Sequence, residues 1–253
     1  TGKFLNSLLL LLGFVTLPLF GNSQTTTFTD FEAGAAIIDM GITPQTNANG
    51  LKPYGLVVAL IDAGVPVNWI INPNKTFGPV DTNAKVDEID IIVNGTDTSD
   101  PNSPRADREM RGGPFLIAKE FLTPAIVTLI NNFAGPTVYW NLAAIEDAPV
   151  YGTLYYFPKI KFWDDPVVDG FFTPAGIPSN YYSQGPPTEL GTCDEFYVFG
   201  HHTDPHLQSG GWLQSYTDAL YEYVINGGNL WVGCHDVSMI EGIISTTDGN
   251  RLN

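Results

Sequence analysis

The chain has four histidines, His201, His202, His206 and His235. Imidazole is the commonest metal ligand and a general base near neutral pH, so their placement comes first. Three sit in Gly200-His201-His202-Thr203-Asp204-Pro205-His206, and the fourth in Gly233-Cys234-His235-Asp236. The candidate binding set is His201, His202, Asp204, His235 and Asp236. Cys234 and His235 are the candidate catalytic residues. No spacing here follows a zinc pattern, so the sequence names neither a metal nor a cofactor. The structural alternative is a capped turn, with hydrogen-bonded histidines and Asp204 satisfying backbone N–H groups.

Both segments follow short apolar runs. Glu195-Phe196-Tyr197-Val198-Phe199 reads as a strand, Trp212 to Ile225 as a helix, and Leu230-Trp231-Val232 as a second strand. Gly227 and Gly228 can take the positive φ that ends the helix. Asp236 can cap a further helix, with Val237, Ile240 and Ile244 on one face. Two strands joined by one helix are expected to be parallel and adjacent. All four imidazoles would then meet at the carboxyl-end rim of the sheet, where open α/β sheets bind ligands.

The rest of the chain has the same rhythm. Residues 35–40 read as strand one, 52–64 as a helix closed by Gly64, and 66–71 as strand two. That is a βαβ unit. Residues 90–93 are strand three, 97–113 an exposed polar loop or hairpin arm, 119–133 a helix and 137–141 strand four. Asp97, Ser99 and Asp100 do not have EF-hand spacing. Residues 148–187 are aromatic and proline-rich, with short strands expected at 155–157 and 160–163. The aromatics there would form either a sugar-binding platform or packing under a long loop. Alternating apolar strands and helices predict an α/β fold, a mostly parallel sheet between helix layers.

Residues 1–23 read as a secretory signal peptide: Lys3, an apolar stretch, then Gly21-Asn22-Ser23. The apolar run is shorter than a membrane span and the polar Gln24-Thr25-Thr26-Thr27 follows at once, so no span is expected in the mature chain. Residues 24–253 would form a single secreted, periplasmic or cell-surface domain, truncated at its C-terminus, with further domains beyond. The net charge of −16 argues against nucleic-acid partners.

Asp194 to Gly200, a helix, and Gly227 to His235 together resemble the class I glutamine amidotransferase-like superfamily, in which a strand ends in a Gly-x-Cys-x-Gly elbow. Here Gly233 aligns with the first elbow glycine, His235 with the nucleophile and Val237 with the second glycine. Gly-x-His at that point is more similar to the trehalose-utilisation-type branch. The resemblance implies a three-layer, flavodoxin-like fold. Two functions follow as expectations. One is a non-amidotransferase domain that binds a small molecule or carbohydrate at the His201/His235 rim. The other is a cysteine-dependent hydrolase or amidotransferase-like enzyme using Cys234, which would need a thiolate, a base and oxyanion donors.

Cys193 precedes one strand and Cys234 follows the other. In parallel neighbours the two would be separated by about five residues at roughly 3.3 Å each. A disulfide needs Cα atoms within about 7 Å. Thiol titration of the unfolded, unreduced monomer should therefore find both thiols free. A count near zero would refute the parallel placement of these strands.

Overall fold

The computed structural model describes residues 25–41, 46–75, 88–97, 100–162, 166–191, 195–199 and 214–232. The signal-peptide region lies outside them. Ala36–Ile38 (β2) and Phe115–Ile117 (β6) are apolar at every position because both of their faces are buried. They lie in an eight-stranded sheet with Thr27–Phe31 (β1), Val67–Ile70 (β3), Ile91–Asp97 (β4), Asp100–Met110 (β5), Val138–Asn141 (β7) and Ile145–Leu154 (β8). The order is β1-β8-β3-β6-β2-β7-β4-β5, and every neighbouring pair is antiparallel.

This corrects the expectation of a three-layer, flavodoxin-like or amidotransferase-like α/β fold with a mostly parallel sheet. Strands buried on both faces lose the polar–apolar alternation that marks antiparallel sheets, so they read as parallel ones. The expected βαβ unit is present as β2, a helix at Lys52–Asp62 (α1) and β3. Strands β2 and β3 do run in one direction, but β6 lies between them, antiparallel to both. The arm at 97–113 is β5, hairpin partner of β4. The expected helix at 119–133 is a 3₁₀ turn at Lys119–Phe121, then Pro124–Asn132 (α2), capped by Thr123, whose side chain accepts from Ile126 N.

One face of the sheet packs Ile38, Val67, Phe115, Ile117 and Val138 against Leu56, Val57 and Leu60 of α1 and Ile126 and Ile130 of α2. The other face collects side chains from all eight strands and none from an α-helix, including Phe31, Ile37, Ile70, Val93, Met110, Leu116, Tyr139 and Val150. A sheet that packs upon itself must curl. Connectivity requires it too: β4, β7 and β2 separate β5 from β6, roughly 19 Å across a flat sheet. The step from Met110 to Phe115 reaches ~18 Å at full stretch.

Asp90, just before β4, fastens the curl. Its side chain is fully buried and accepts from Asn72 N at 3.0 Å, Lys75 Nζ at 2.5 Å and Gly113 N at 2.8 Å. Asn72 Nδ2 donates in turn to Ile89 O at 3.1 Å. One carboxylate thus joins the residues after β3, the start of β4 and the β5–β6 turn. Gly113 fits only as glycine: its φ is +72°, and a Cβ would lie 2.6 Å from Trp69 Nε1.

A second sheet, order β10-β9-β11-β12, is parallel: Lys159–Phe162 (β9), Tyr182–Gln184 (β10), Glu195–Phe199 (β11) and Asn229–Val232 (β12). Helix Pro166–Ala175 (α3) joins β9 to β10 and abuts α1, where Gly55 admits the Ala175 carbonyl; a Cβ would sit 1.6 Å from that oxygen. Helix Gln214–Ile225 (α4) joins β11 to β12 and buries Leu220 and Tyr223 against Tyr197.

Asp90→Ala should lower stability by about 3–5 kcal/mol, because it strands Lys75 and two backbone N–H groups in a water-poor site. Asp90→Asn, which keeps the shape but not the charge, should lose less. Urea unfolding measures both. A loss below about 1 kcal/mol for Asp90→Ala would show that the seam is held by something else.

Candidate functional site

The parallel sheet carries the rim that the sequence points to. Strands β11 and β12 are adjacent and in register, ending on the pair Phe199↔Val232. His201 is two residues beyond Phe199, and His235 three beyond Val232. The residues themselves, His201, His202, Asp204, His206, Cys234, His235 and Asp236, lie outside the described residues, as does Cys193. Helix α4 ends as expected: Gly227 has φ +90°, and Gly228 N donates to Tyr223 O at 2.8 Å.

Within this sheet Ser183, Lys161, Tyr197 and Leu230 form a cross-strand row. Lys161 is 9% exposed and donates from Nζ to Glu189 O at 2.8 Å, with the Glu189 carboxylate 3.8 Å away. The fully buried Tyr197 donates its hydroxyl to Gly185 O at 3.2 Å. Burial first, then the charges of Glu189 and Tyr216, push the Tyr197 hydroxyl well above its ordinary value. Lys161 and Tyr197 are each answered by a backbone carbonyl, which is the pattern of a satisfied core rather than of a reactive centre.

A better-equipped cavity lies on the large sheet. It is an open concave space of about 460 Å³ lined by Asp39, Gly41, Asp107, Arg108, Glu109 and Arg111. Asp39 follows β2 directly. Its N–H donates to Thr137 O at 3.0 Å, and its Oδ1 accepts from Gly41 N at 2.7 Å. The remaining oxygen, Oδ2, lies 3.5 Å from the Arg108 guanidinium.

A break in β5 brings the arginine there. Val93 pairs with Arg108 but Gly95 pairs with Arg105, so β5 carries one extra residue between those two pairs. Such bulges bend a strand and re-aim its side chains. Asp107 lies in the bulge with φ +52° and donates its N–H to Asn94 Oδ1 at 2.9 Å. Asn94 N donates to Asn141 Oδ1 at 3.1 Å. Arg108 sits 5.2 Å above the Tyr139 ring, an attractive cation–π arrangement. Arg111 pairs with Glu109 at 2.6 Å. Two guanidiniums, each beside its own carboxylate, therefore face one cavity.

The sequence reading places Asp107, Arg108, Glu109 and Arg111 in an exposed polar loop or hairpin arm and Asp39 in strand one. A signal was available: three of the chain's four arginines fall at Arg105, Arg108 and Arg111 in a chain of net charge −16. Among the described residues no helix is long and apolar enough to cross a membrane. No protein family, curated protein or solved structure matches the chain.

The Tyr197 shift has a pH consequence. A hydroxyl held protonated by the fold contributes stability below the unfolded value of about 10, and that contribution is lost as pH rises beyond it. Thermal melts should thus fall more steeply above pH ~10 for the wild type than for Tyr197→Phe. Near neutrality Tyr197→Phe should cost about 1 kcal/mol, the net worth of one hydrogen bond. Parallel alkaline curves for the two proteins would refute the shift.

Proposed function

We propose that this protein is a small-ligand-binding domain. The observation that carries the reading is the cavity at Asp39, Asp107, Arg108, Glu109 and Arg111, where oriented donors and acceptors converge on one concave space. Its volume is within the roughly 300–1,000 Å³ of small-molecule sites. The orientation is built before any ligand arrives, which limits what binding loses in side-chain freedom.

The rim of the parallel sheet supports a second reading, a small-molecule or carbohydrate site at His201, His202, Asp204, His235 and Asp236. It is favoured by the in-register end of β11 and β12, from which both histidine-bearing segments continue. The Cys234 enzyme alternative rests on the resemblance of residues 194–235 and on Cys234, which lies outside the described residues; the three-layer fold that the same resemblance implied is overturned by the antiparallel main sheet.

Arg111→Gln should weaken ligand binding about tenfold, the ~1.4 kcal/mol of one charged hydrogen bond. Its exposed pair with Glu109 should leave stability within about 0.5 kcal/mol of wild type. Arg108→Gln should weaken binding similarly. For the rim, His202→Ala and His235→Ala should each weaken one common ligand while leaving the melting temperature nearly unchanged. Ligand-observed NMR with a metabolite mixture, repeated on the four variants, separates the sites. Binding that survives all four substitutions would refute both placements.

A further inference from the structure

The ligand class can be read from what the cavity's groups are able to do. A guanidinium only donates hydrogen bonds, and an ionised carboxylate only accepts them. A hydroxyl does both, so neighbouring hydroxyls can bridge Arg108 or Arg111 on one side and Asp107 or Glu109 on the other. The charges are already matched in pairs, Arg108 with Asp39 and Arg111 with Glu109, and Asp107 leaves the lining at a formal charge of −1. A bound anion would compete with Asp39 and Glu109 for their partners. It would also approach against the field of a chain carrying −16. A zwitterion would have to open both pairs to match them. Metal ions are poorly served, since among the described residues no three His, Cys, Asp or Glu side chains are grouped to hold one.

We infer that the cavity binds a neutral polyhydroxy ligand, a mono- or disaccharide, with Arg108 and Arg111 donating to its hydroxyls and Asp107 and Glu109 accepting from them. The inference rests on the binding function proposed above and names the ligand class for that same cavity. The anchoring of Arg108, Asp39 and the Asp107 backbone supports it. Tyr139 and Asp39 fix Arg108, the Gly41 and Thr137 backbone fixes Asp39, and Asn94 holds Asp107 on the bulge. Spaced planar donors and acceptors can then select one arrangement of hydroxyls.

Calorimetric titration of the purified chain tests this with glucose, galactose, mannose, xylose and their disaccharides. Glucuronate, galacturonate, inorganic phosphate and glycine are the charged probes. Each titration is run at about 10 mM and about 1 M salt, between which the Debye length falls from ~30 to ~3 Å. The expected result is that at least one neutral sugar binds, with an affinity that changes less than about twofold with salt. Arg111→Gln should weaken that sugar about tenfold in a protein whose circular dichroism is unchanged. Three results overturn the inference and leave a binding function standing. One is a uronate bound at least tenfold more tightly than its neutral parent and released by salt. Another is binding of phosphate or glycine without any sugar. The third is a sugar whose affinity is unmoved by both Arg108→Gln and Arg111→Gln. No binding by any probe overturns the inference and the proposed function together.

Discussion

A single buried carboxylate fastens the curl of the large sheet. Asp90, at the start of β4, receives two backbone N–H groups and one ammonium from beside the neighbouring strands β3 and β6, which strand order alone sets well away from β4. Buried charge is unfavourable unless it is both paired and hydrogen-bonded, and here it is both. The curl then does two further things. It turns one face of the sheet into a core without a helix, and it carries the end of β5 over Tyr139 to the end of β2. The charged cavity exists because of that second effect, since neither Asp39 nor Arg108 would otherwise have a partner across three strands.

The legible parts of the fold were those with a local signature. Helix α1 with Gly64 at φ +78°, the strands β2, β3, β4, β7, β11 and β12, and the glycine end of α4 all follow from short-range pattern. What was not legible is equally systematic. The strands read from the first part of the large sheet, β2, β3 and β4, all run in one direction, and the strands between or beside them run the other way. Of these, all but β7 hide well. The core-facing β6 has only three residues, β8 opens on Glu146, Asp147 and Pro149, and β5 carries Pro101 and Pro104. Proline and charge are tolerated on β5 because it is an edge strand, with one side free of ladder bonds. Missing β5, β6 and β8 turned an antiparallel sheet into an expected parallel one.

The candidate sites divide along the same line. The rim residues are candidates because they follow two strands joined by one helix, and β11 and β12 do lie side by side. The charged cavity joins residues 39 and 108, which the curl of the sheet and a bulge in an edge strand bring together. No periodicity in the sequence reports a bulge; the clustering of arginines in an acidic chain is the nearest trace of it. The aromatic region at 148–187 resolves in the same way. It holds the end of β8, two strands of the parallel sheet and a helix whose Phe172 stacks on Tyr182 at 4.7 Å.

The strand order also governs how the chain can come together as it is made. In the eight-stranded sheet only β4 and β5 are neighbours both in sequence and in space. Strands β2 and β3 are synthesised early, yet each must wait for β6 and then for β7 or β8, so neither can begin to pair before residues 115–117 have emerged or be paired on both sides before residues 138–154 have. Two apolar segments thus travel unpartnered through much of synthesis, and the hairpin arm bearing the arginines is the first piece of this sheet able to form. A topology in which nearly every contact is distant closes slowly and exposes edges while it does so. Ordered growth from the amino terminus is therefore not available to this sheet, which can only assemble once its middle strands have arrived.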